Sequence, residues 1–439
     1  MKKLLALVIM ILSLGFTHTL FAQEEVTLLF WPGPESDAMQ KVVDAYNAGP
    51  GQTDGVAVKQ LLFSRQGYFD KELADLAAGS TEFDLALVTT YTLGRYAPYL
   101  EPLDGYIAGT PAQTAASLDS LKFDGKQFGV PTDVSLHFMY YRQDLIDQLL
   151  SDEAWQATYG DISEQILGTR LEPKNPSEWA WQDWLATALF FTQSINPDSP
   201  TTYGSVLQMK NLIFNIMIWQ STMVSNGGNW MDADGNITIN SDAARTGLGV
   251  YQTLIDNGAT PPDSINYEYA EANEAFRSGQ AATMLQWNAA FNELNNPELS
   301  PVVAGKIGIA PLPAGSEGNK THVHALGIGM NAASTKKEAA GKFAAYLFTE
   351  EAMQVYGEAG GNPPVPSVLA ALSSTRPDFA NLSEYLEKYA YVVNGGTAAY
   401  AVPVYEVLAE EFSAVWAGQK EIDAALESAA TRMAETMAE

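Results

Sequence analysis

Several aromatic and polar residues that could contact a ligand follow predicted strands. The chain contains 9 Trp and 20 Tyr residues. Trp31 follows the first predicted strand, Arg65 and Gln66 follow the second, and Thr90 and Tyr91 follow the third. Aromatic rings offer flat apolar surfaces to a ligand, and polar side chains bond its polar groups. A core tryptophan, a solvated loop and a structural turn are the alternative interpretations of these three positions.

Three further candidate ligand residues are Trp230, Asn362 and His324. Trp230 follows the small residues of the segment G-G-N, which let a backbone approach a ligand closely. Asn362 lies in the segment G-N-P-P, for which a plain turn is the alternative. For His324 the alternative is a histidine whose hydrogen bonds are satisfied within the fold or by solvent.

The sequence contains no pattern that predicts catalysis or a metal centre. It has no Cys and 4 His, which excludes thiolate ligands and cysteine nucleophiles and disfavours a polyhistidine site. The motifs G-x-S-x-G and H-E-x-x-H and the phosphate-binding loop are absent. Segment 232–236 (D-A-D-G-N) lacks the remaining spacing of a calcium loop. We expect no enzymatic activity, no cofactor and no metal.

The charge of the chain excludes several classes of partner. With 24 Lys plus Arg against 52 Asp plus Glu, the formal net charge is −28. Such a surface repels phosphate backbones and anionic lipids. We therefore expect no nucleic-acid partner.

Residues 1–22 are typical of a secretory signal peptide. Lys2 and Lys3 precede an apolar run over 4–16, and cleavage after Ala22 is the best match. An uncleaved membrane anchor is the alternative, although the apolar run is short for a membrane span. We expect the mature protein to be exported to the periplasm or the extracellular space, with no lipid-modified cysteine to tether it.

The elements that position the candidate residues alternate between strand and helix. Apolar runs at 26–30, 56–63 and 83–88 predict strands, and the intervening segments have helical spacing, with Ser36 as a helix cap. This alternation favours an α/β fold with a parallel sheet covered on both faces. Ligands of such sheets bind at the carboxyl ends of the strands, where Trp31, Arg65 and Tyr91 lie.

The middle of the chain differs from its two ends. Residues 142–280 are predicted to be mostly helical, with a long buried helix over 206–224 and a capped amphipathic helix over 241–256. Strands are predicted again at 282–285, 307–310 and 326–330, before a helical tail. This order predicts two lobes between which the chain crosses several times.

Several segments, in order along the chain, resemble motifs of the extracellular solute-binding proteins of carbohydrate ABC transporters, the maltose-binding-protein-like family. The segment F-R-S-G-Q-A-A-T-M at 276–284 is similar to the signature F-x-x-G-x-x-A-M, with one extra residue before the Met. The other matching segments are 124–131 (D-G-K-Q-F-G-V-P), 140–145 (Y-Y-R-Q-D-L), 181–184 (W-Q-D-W), 307–313 (I-G-I-A-P-L-P) and 329–334 (G-M-N-A-A-S). Each motif alone is weak, but the ordered set is specific.

The resemblance implies a two-lobe periplasmic-binding-protein fold that closes about a hinge of several segments. The hinge crossings carried over from the motifs lie near 131–135, 282–285 and 330–334. The implied first lobe comprises 23–132 with 284–331, and the implied second, more helical lobe comprises 133–283 with 332–439. The resemblance also implies four ligand-binding positions: Asp133, Trp287, Asn288 and Tyr405. The alternatives are a hinge salt bridge for Asp133 and a packed tryptophan for Trp287.

The resemblance further implies capture of a sugar or oligosaccharide and its delivery to an ABC importer by hinge closure. The partners are then a carbohydrate and the permease subunits, and we expect a monomer. A binding protein for a polyol, glycerophosphodiester, peptide or polyamine is the main alternative. A secreted glycosidase, which needs two facing carboxylates, is the least favoured alternative, because no pair is marked by a motif.

Overall fold

A computed structural model describes residues 23–107 and 109–438 of the chain. The predicted signal peptide lies outside these residues. The strands are β1 (Glu24–Phe30), β2 (Val56–Leu62), β3 (Leu85–Thr89), β4 (Leu100–Glu101), β5 (Lys122–Phe123), β6 (Lys126–Gln127), β7 (Gly129–Arg142), β8 (Tyr203–Val206), β9 (Ala281–Trp287), β10 (Ile307–Ala310), β11 (Thr321–Asn331) and β12 (Ala390–Tyr391).

Helices surround these strands and fill the segments between them. The α-helices are α1 (Pro34–Ala48), α2 (Pro50–Asp54), α3 (Tyr68–Ala77), α4 (Leu93–Tyr96), α5 (Ala115–Asp119), α6 (Gln143–Ser151), α7 (Glu153–Leu167), α8 (Trp181–Phe190), α9 (Ile213–Val224), α10 (Asp242–Asp256), α11 (Tyr269–Arg277), α12 (Phe291–Leu294), α13 (Lys337–Leu347), α14 (Glu350–Glu358), α15 (Pro366–Leu372), α16 (Asp378–Lys388), α17 (Ala401–Trp416) and α18 (Ile422–Ala438). Short 3-10 helices lie at Ala97–Tyr99, Pro176–Glu178, Pro262–Asn266 and Asn288–Ala290.

One mixed sheet runs through the molecule in the order β2-β1-β3-β11-β7-β9-β8. β1 is parallel to β2 and β3, as the alternation of strand and helix predicts, whereas β11 is antiparallel to β3 and β7. The predicted α/β class is therefore confirmed. The antiparallel strands β7 and β11 are the long ones, and every residue of β7 is buried. Its apolar and aromatic residues fit this position because both faces of the strand are covered, and its polar residues Asp133, Ser135 and His137 are buried with them.

The sheet joins two lobes through β7 and β11. At one end, β7 and β11 pair with each other and β11 pairs with β3. At the other end, residues 137–142 of β7 pair with β9 and β10. We call the part around β1, β2 and β3 the first lobe and the part around β8, β9 and β10 the second lobe. The crossings observed on these two strands lie near Ser135 and near Val323.

The packing differs from the lobe boundaries that the resemblance implies. β9 and β10 pair with the second-lobe end of β7 although the expected first lobe includes 284–331. Conversely, α13 packs on β1 and β2, and α14 packs on α1, although the expected second lobe begins at 332. The tail returns to the second lobe, where α17 packs against α9 and α18. Of the expected crossings, 131–135 lies on β7, whereas 282–285 lies within the second-lobe sheet.

Two helix starts also differ from expectation, and one agrees. The buried helix expected over 206–224 begins at Ile213, because Val206 ends β8 and pairs with β9. Ser36 is the third residue of α1, after Pro34 at the first helical position, rather than its cap. The cap of α10 is confirmed: the Ser241 hydroxyl accepts a hydrogen bond from the backbone N–H of Ala244. Among the described residues, no helix combines the length and apolar character needed to span a bilayer.

Candidate functional site

Aromatic side chains from both lobes meet where the first three strands end. Trp31, directly after β1, is 2% exposed. Its ring packs edge-on against Phe69 of the first lobe, with centroids 5.8 Å apart, and against Phe214 of the second lobe, with centroids 6.0 Å apart. The lobes are therefore in direct contact across the cleft that separates them.

Arg65, which follows β2, bridges the same contact. Its guanidinium lies 5.1 Å from the ring centroids of both Trp31 and Phe214, within the range of a cation–π interaction. Its Nε lies 3.7 Å from a carboxylate oxygen of Glu268, which precedes α11 of the second lobe. The neighbouring Gln66 is exposed at the rim of the cleft. Arg65 thus contacts the opposite lobe, whereas the exposed Gln66 lines a cavity that it shares with Phe69 and Phe214.

The two candidates after β3 have different surroundings. The Tyr91 ring is buried between His324, at a centroid distance of 5.1 Å, and Phe69, at 5.7 Å. The Thr90 hydroxyl instead accepts a hydrogen bond from the backbone N–H of Ala325 at 3.0 Å. Tyr91 therefore faces the cleft, whereas Thr90 joins β3 to β11.

The second lobe contributes three of the candidate aromatic residues. Trp230 is fully buried, and its ring centroid lies 4.4 Å from that of Tyr405 on α17. Trp287, the last residue of β9, packs against His324 with centroids 5.1 Å apart. Tyr405 also lies 6.4 Å from Tyr91 of the first lobe. The structure therefore brings Tyr91, Trp230, Trp287, His324 and Tyr405 into one cluster.

Asn288 is adjacent to this cluster, but both polar groups of its side chain are already hydrogen-bonded. Its side-chain amide donates to the carbonyl of Val134 at 3.1 Å, and its side-chain oxygen accepts from the backbone N–H of Leu136 at 3.1 Å. Both polar ends therefore hold the 3-10 helix after β9 against β7. This position explains its complete burial.

Asp133 lies on β7 beside the first crossing and is 1% exposed. Its Oδ2 accepts hydrogen bonds from the Tyr356 hydroxyl at 2.9 Å and from the backbone N–H of Asn362 at 2.8 Å. Burial, together with the charge of Glu35, raises the pKa of Asp133 to about 7. Asn362, expected as a ligand residue, thus acts on Asp133 through its main chain.

Sequence reasoning missed two polar residues of the cleft, Glu35 and Tyr269. Glu35 is in the first turn of α1 and is 7% exposed, and its charge also raises the pKa of Tyr269, which is raised mainly by burial. Glu35 follows Trp31 by four residues, so the rule that loops after parallel strands bind ligands could have found it. Tyr269 starts α11 in the second lobe, and no sequence signal pointed to it.

Several buried polar atoms of this region have no hydrogen-bond partner within the described residues. They belong to residues of both lobes: Trp31 Nε1, Glu35 Oε2, Tyr91 Oη, Trp230 Nε1, Tyr269 Oη, both ring nitrogens of His137, and Arg65 Nε, which lies 3.7 Å from the carboxylate of Glu268. Leaving a buried polar atom unpaired costs about 1–3 kcal/mol, so native proteins rarely do so without a reason. A ligand with several hydroxyl groups would pair them.

Three histidines form the floor of the cluster. His137 on β7 stacks on His322 with ring centroids 6.0 Å apart, and Nε2 of His322 lies 3.4 Å from Nδ1 of His324. Burial lowers the pKa of His322 to about 3 and lowers the pKa of the other two well below the usual range. Within the described residues, no group of three His, Cys, Asp or Glu side chains is arranged to hold a metal ion.

Comparisons with known proteins agree with this architecture. A family model described as bacterial extracellular solute-binding protein matches residues 32–354. A curated binding protein of Brucella abortus is 25% identical over 411 residues, which cover 91% of this chain and 89% of that one. The solved structure of maltose-bound T. maritima MalE3 has a TM-score of 0.76 at 20% identity, covering 94% of this chain and 99% of that one. A ribitol complex of an ABC transporter solute-binding protein from Agrobacterium radiobacter has a TM-score of 0.76 at 20% identity, covering 94% and 98%.

Proposed function

The chain belongs to the bacterial extracellular solute-binding protein family, and we propose that it binds a neutral sugar or sugar alcohol between its two lobes. Members of this family bind small molecules and work with the permease subunits of ABC importers. In this proposal the ligand is enclosed by lobe closure and passed to such an importer. We also propose that the protein is a monomer, exported by residues 1–22, and that it binds without turning its ligand over.

The observation that carries the proposal is the set of unpaired buried polar atoms in and beside the aromatic cluster, to which both lobes contribute. Indole N–H groups and the Arg65 guanidinium donate hydrogen bonds, carboxylates accept them, and tyrosine hydroxyls do both. This mixture suits a molecule whose many hydroxyl groups are each a donor and an acceptor. The rings provide flat apolar surfaces for the CH faces of the same molecule.

The proposed ligand contacts divide by type. Stacking or edge contacts are assigned to Trp31, Tyr91, Trp230, Trp287, His324 and Tyr405. Hydrogen bonds are assigned to Glu35, Asp133 and Tyr269 and, at the mouth of the cleft, to Arg65. Thr90, Asn288 and Asn362 are assigned supporting positions because their polar groups already bond the backbone or Asp133.

The relatives support the chemical class. Two similar solved structures contain maltose and ribitol, respectively, as bound molecules. Both molecules are neutral and rich in hydroxyl groups, which is what the unpaired atoms of this cleft require. A phosphodiester would require more positive charge than Arg65 alone supplies to a cleft that also contains Glu35 and Asp133.

A thermal-shift panel tests the proposal. The compounds are maltose, maltotriose, mannitol and ribitol, with putrescine and glycerophosphocholine representing the alternatives. A compound present at about 100 times its dissociation constant adds about 2.7 kcal/mol to the free energy of unfolding. We expect this increase with at least one sugar or sugar alcohol. A shift confined to putrescine or glycerophosphocholine would refute the proposed ligand class.

The same mixtures test for turnover. Chromatography of the best-binding sugar after long incubation should recover it intact, because a binding protein only encloses and releases its ligand. Product that grows in proportion to protein concentration would instead identify Glu35 and Asp133 as candidates for the carboxylate pair of a glycosidase.

A further inference from the structure

The two carboxylate oxygens of Asp133 are bonded unequally. Oδ2 accepts both strong hydrogen bonds, from the Tyr356 hydroxyl and from the Asn362 N–H. Oδ1 has one long contact, 3.4 Å from the hydroxyl of Ser135. One oxygen is therefore held by the protein, while the other retains most of its capacity to accept a hydrogen bond.

The two donors to Oδ2 are held by one turn. The backbone carbonyl of Tyr356 accepts from the N–H of Gly361 at 3.0 Å. A Cβ at Gly361 would lie 2.0 Å from the Tyr356 ring, so only glycine lets the turn pass directly over that ring. The carbonyl of Asn362 accepts from the N–H of Val134, the residue that follows Asp133, at 2.9 Å.

Arg376 forms hydrogen bonds to this turn from outside the cleft. Its guanidinium donates to the carbonyl of Gly361 at 3.3 Å and to the side-chain oxygen of Asn362 at 3.0 Å. It also forms a two-pronged pair with Asp378, at 2.9 and 2.6 Å. Arg376 and Asp378 are 7% and 1% exposed, so the pair is shielded from solvent. The planar fork of arginine can serve three acceptors in fixed directions, whereas a lysine ammonium cannot reproduce that geometry.

We infer that Arg376 is a positioning residue for ligand binding, which holds the 361–362 turn so that Asp133 presents Oδ1 to the ligand. This inference rests on the proposed function, in which Asp133 bonds a ligand hydroxyl. Arg376 itself touches no part of the aromatic cluster. Its effect passes through Asn362, whose N–H is one of the two donors that fix the carboxylate.

The ionisation of Asp133 gives a second measure of this effect. The charged groups that act on it are Glu35 on α1, which raises its pKa, and Arg376, which lowers it. The hydrogen bonds from Tyr356 on α14 and from Asn362 lower its pKa as well, against the larger effect of burial. Loosening the turn should therefore raise the pKa of Asp133 further.

Arg376→Lys is the test variant, because it keeps the charge opposite Asp378 but cannot hold Gly361 and Asn362 at the same time. Arg142→Lys is the matched control: Arg142 forms the same two-pronged pair with a carboxylate two residues later, Asp144, at 2.8 and 2.6 Å. It lies at the far end of β7. A second variant, Asn362→Ala, leaves the Arg376–Asp378 pair in place and covers the case in which Arg376→Lys does not fold.

Isothermal titration with the best binder among maltose, maltotriose, mannitol and ribitol should show about tenfold weaker binding by Arg376→Lys, the loss expected for one strong hydrogen bond. Affinity should rise with pH as Asp133 ionises, and the midpoint of that rise should move to higher pH in Arg376→Lys and Asn362→Ala. Arg142→Lys should match the wild-type curve. A loss by the same factor at every pH, with an unchanged midpoint, would overturn the inference.

Carbon-13 NMR of the Asp133 carboxyl, identified through Asp133→Asn, makes the test independent of the ligand. We expect a higher pKa of Asp133 in ligand-free Arg376→Lys than in Arg142→Lys. Equal values would refute the inference even if sugars bind. If the wild-type protein binds none of the four compounds, the proposed function fails, and the carboxyl titration still decides whether Arg376 positions Asp133.

Discussion

The Nε of Arg65 in the first lobe lies 3.7 Å from a carboxylate oxygen of Glu268 in the second lobe. Both side chains are about one-fifth exposed, and the guanidinium is also enclosed by the rings of Trp31 and Phe214. The ion pair with Glu268 and the cation–π contact with Phe214 therefore exist only while the lobes touch, whereas the contact with Trp31 lies within the first lobe. Contacts made only in one of two states shift the equilibrium towards that state.

Arg65→Met should weaken ligand binding by about tenfold through faster dissociation, because it removes contacts worth about 1–2 kcal/mol in the closed state. Glu268→Gln should have a smaller effect, since the pair is long and partly screened by solvent and an ion pair of this kind contributes about 1 kcal/mol or less. Stopped-flow tryptophan fluorescence measures the dissociation rate. Arg245→Met is the control, because Arg245 pairs with Asp423 within the second lobe. Equal dissociation rates for Arg65→Met and the control would contradict a role in closure.

The unpaired indole N–H groups allow a test with little change in packing. Trp31→Phe and Trp230→Phe keep an aromatic ring but remove an N–H that has no partner among the described residues. If each N–H donates to a ligand hydroxyl, each variant should bind about fivefold more weakly, which corresponds to about 1 kcal/mol. Calorimetric titration measures the loss.

Two other tryptophans supply matched controls. Trp219 and Trp416 also have buried N–H groups without a partner in the part of the chain that the structure describes. Their rings pack against Phe412 and Tyr251 of the second lobe rather than against the cleft cluster. Trp219→Phe and Trp416→Phe should change thermal stability but leave affinity at the wild-type value. Comparable affinity losses in all four variants would show that packing, not hydrogen bonding to a ligand, explains the effect.

Sequence reasoning predicted the parts of the fold that local patterns determine. The runs at 26–30 and 307–310 became β1 and β10 nearly residue for residue, because short apolar segments bounded by turn residues have few alternatives. Lobe membership was harder to predict. α13 follows β11, yet it packs on β1 and β2, a contact between residues some 300 positions apart that no local pattern encodes.

The same distinction applies to the site. Trp31 and Tyr91 were predicted from their positions after parallel strands, and the structure places Tyr91 in the aromatic cluster and Trp31 beside it, both rings packing against Phe69. Asn288 was expected to face a ligand, but its amide bonds the backbone of β7, and sequence alone does not show which partners a polar side chain already has. Tyr269 and Phe214 reach the cleft from helices, where position along the chain carries no such signal.

Asp133→Asn should abolish tight binding while stabilising the ligand-free protein at alkaline pH. The pKa of Asp133 is about 7 in the fold and about 3.9 in an unfolded chain. Its contribution to stability is therefore complete below about pH 4 and is lost as the pH rises through 7. Between pH 5 and 8 the free energy of unfolding of the variant should increase relative to wild type by about 2–3 kcal/mol. Urea titrations at both pH values measure the difference in unfolding free energy between the variant and wild type. A difference that is the same at both pH values would show that Asp133 is not a buried, partly protonated carboxyl.

The buried histidines should have the opposite effect on stability: they should lower the free energy of unfolding as the pH becomes acid. The pKa of His322 is about 3 in the fold and about 6.5 when unfolded. Between these two pKa values His322 is protonated in the unfolded state but not in the folded state. Stability that is present above pH 6.5 is therefore lost as the pH falls towards 3. His322→Gln cannot be protonated and keeps an acceptor for the side-chain amide of Gln220, which lies 3.0 Å from Nδ1 of His322.

Between pH 7 and 4.5, wild type should lose about 2–3 kcal/mol of unfolding free energy relative to His322→Gln. Ser221→Ala is the control, because the Ser221 hydroxyl faces the backbone N–H of His322 and does not titrate in this range. Its destabilisation should be the same at both pH values. If His322→Gln and wild type instead lose stability in parallel, His322 takes up its proton within the folded protein, and the histidine floor of the cleft is accessible to water.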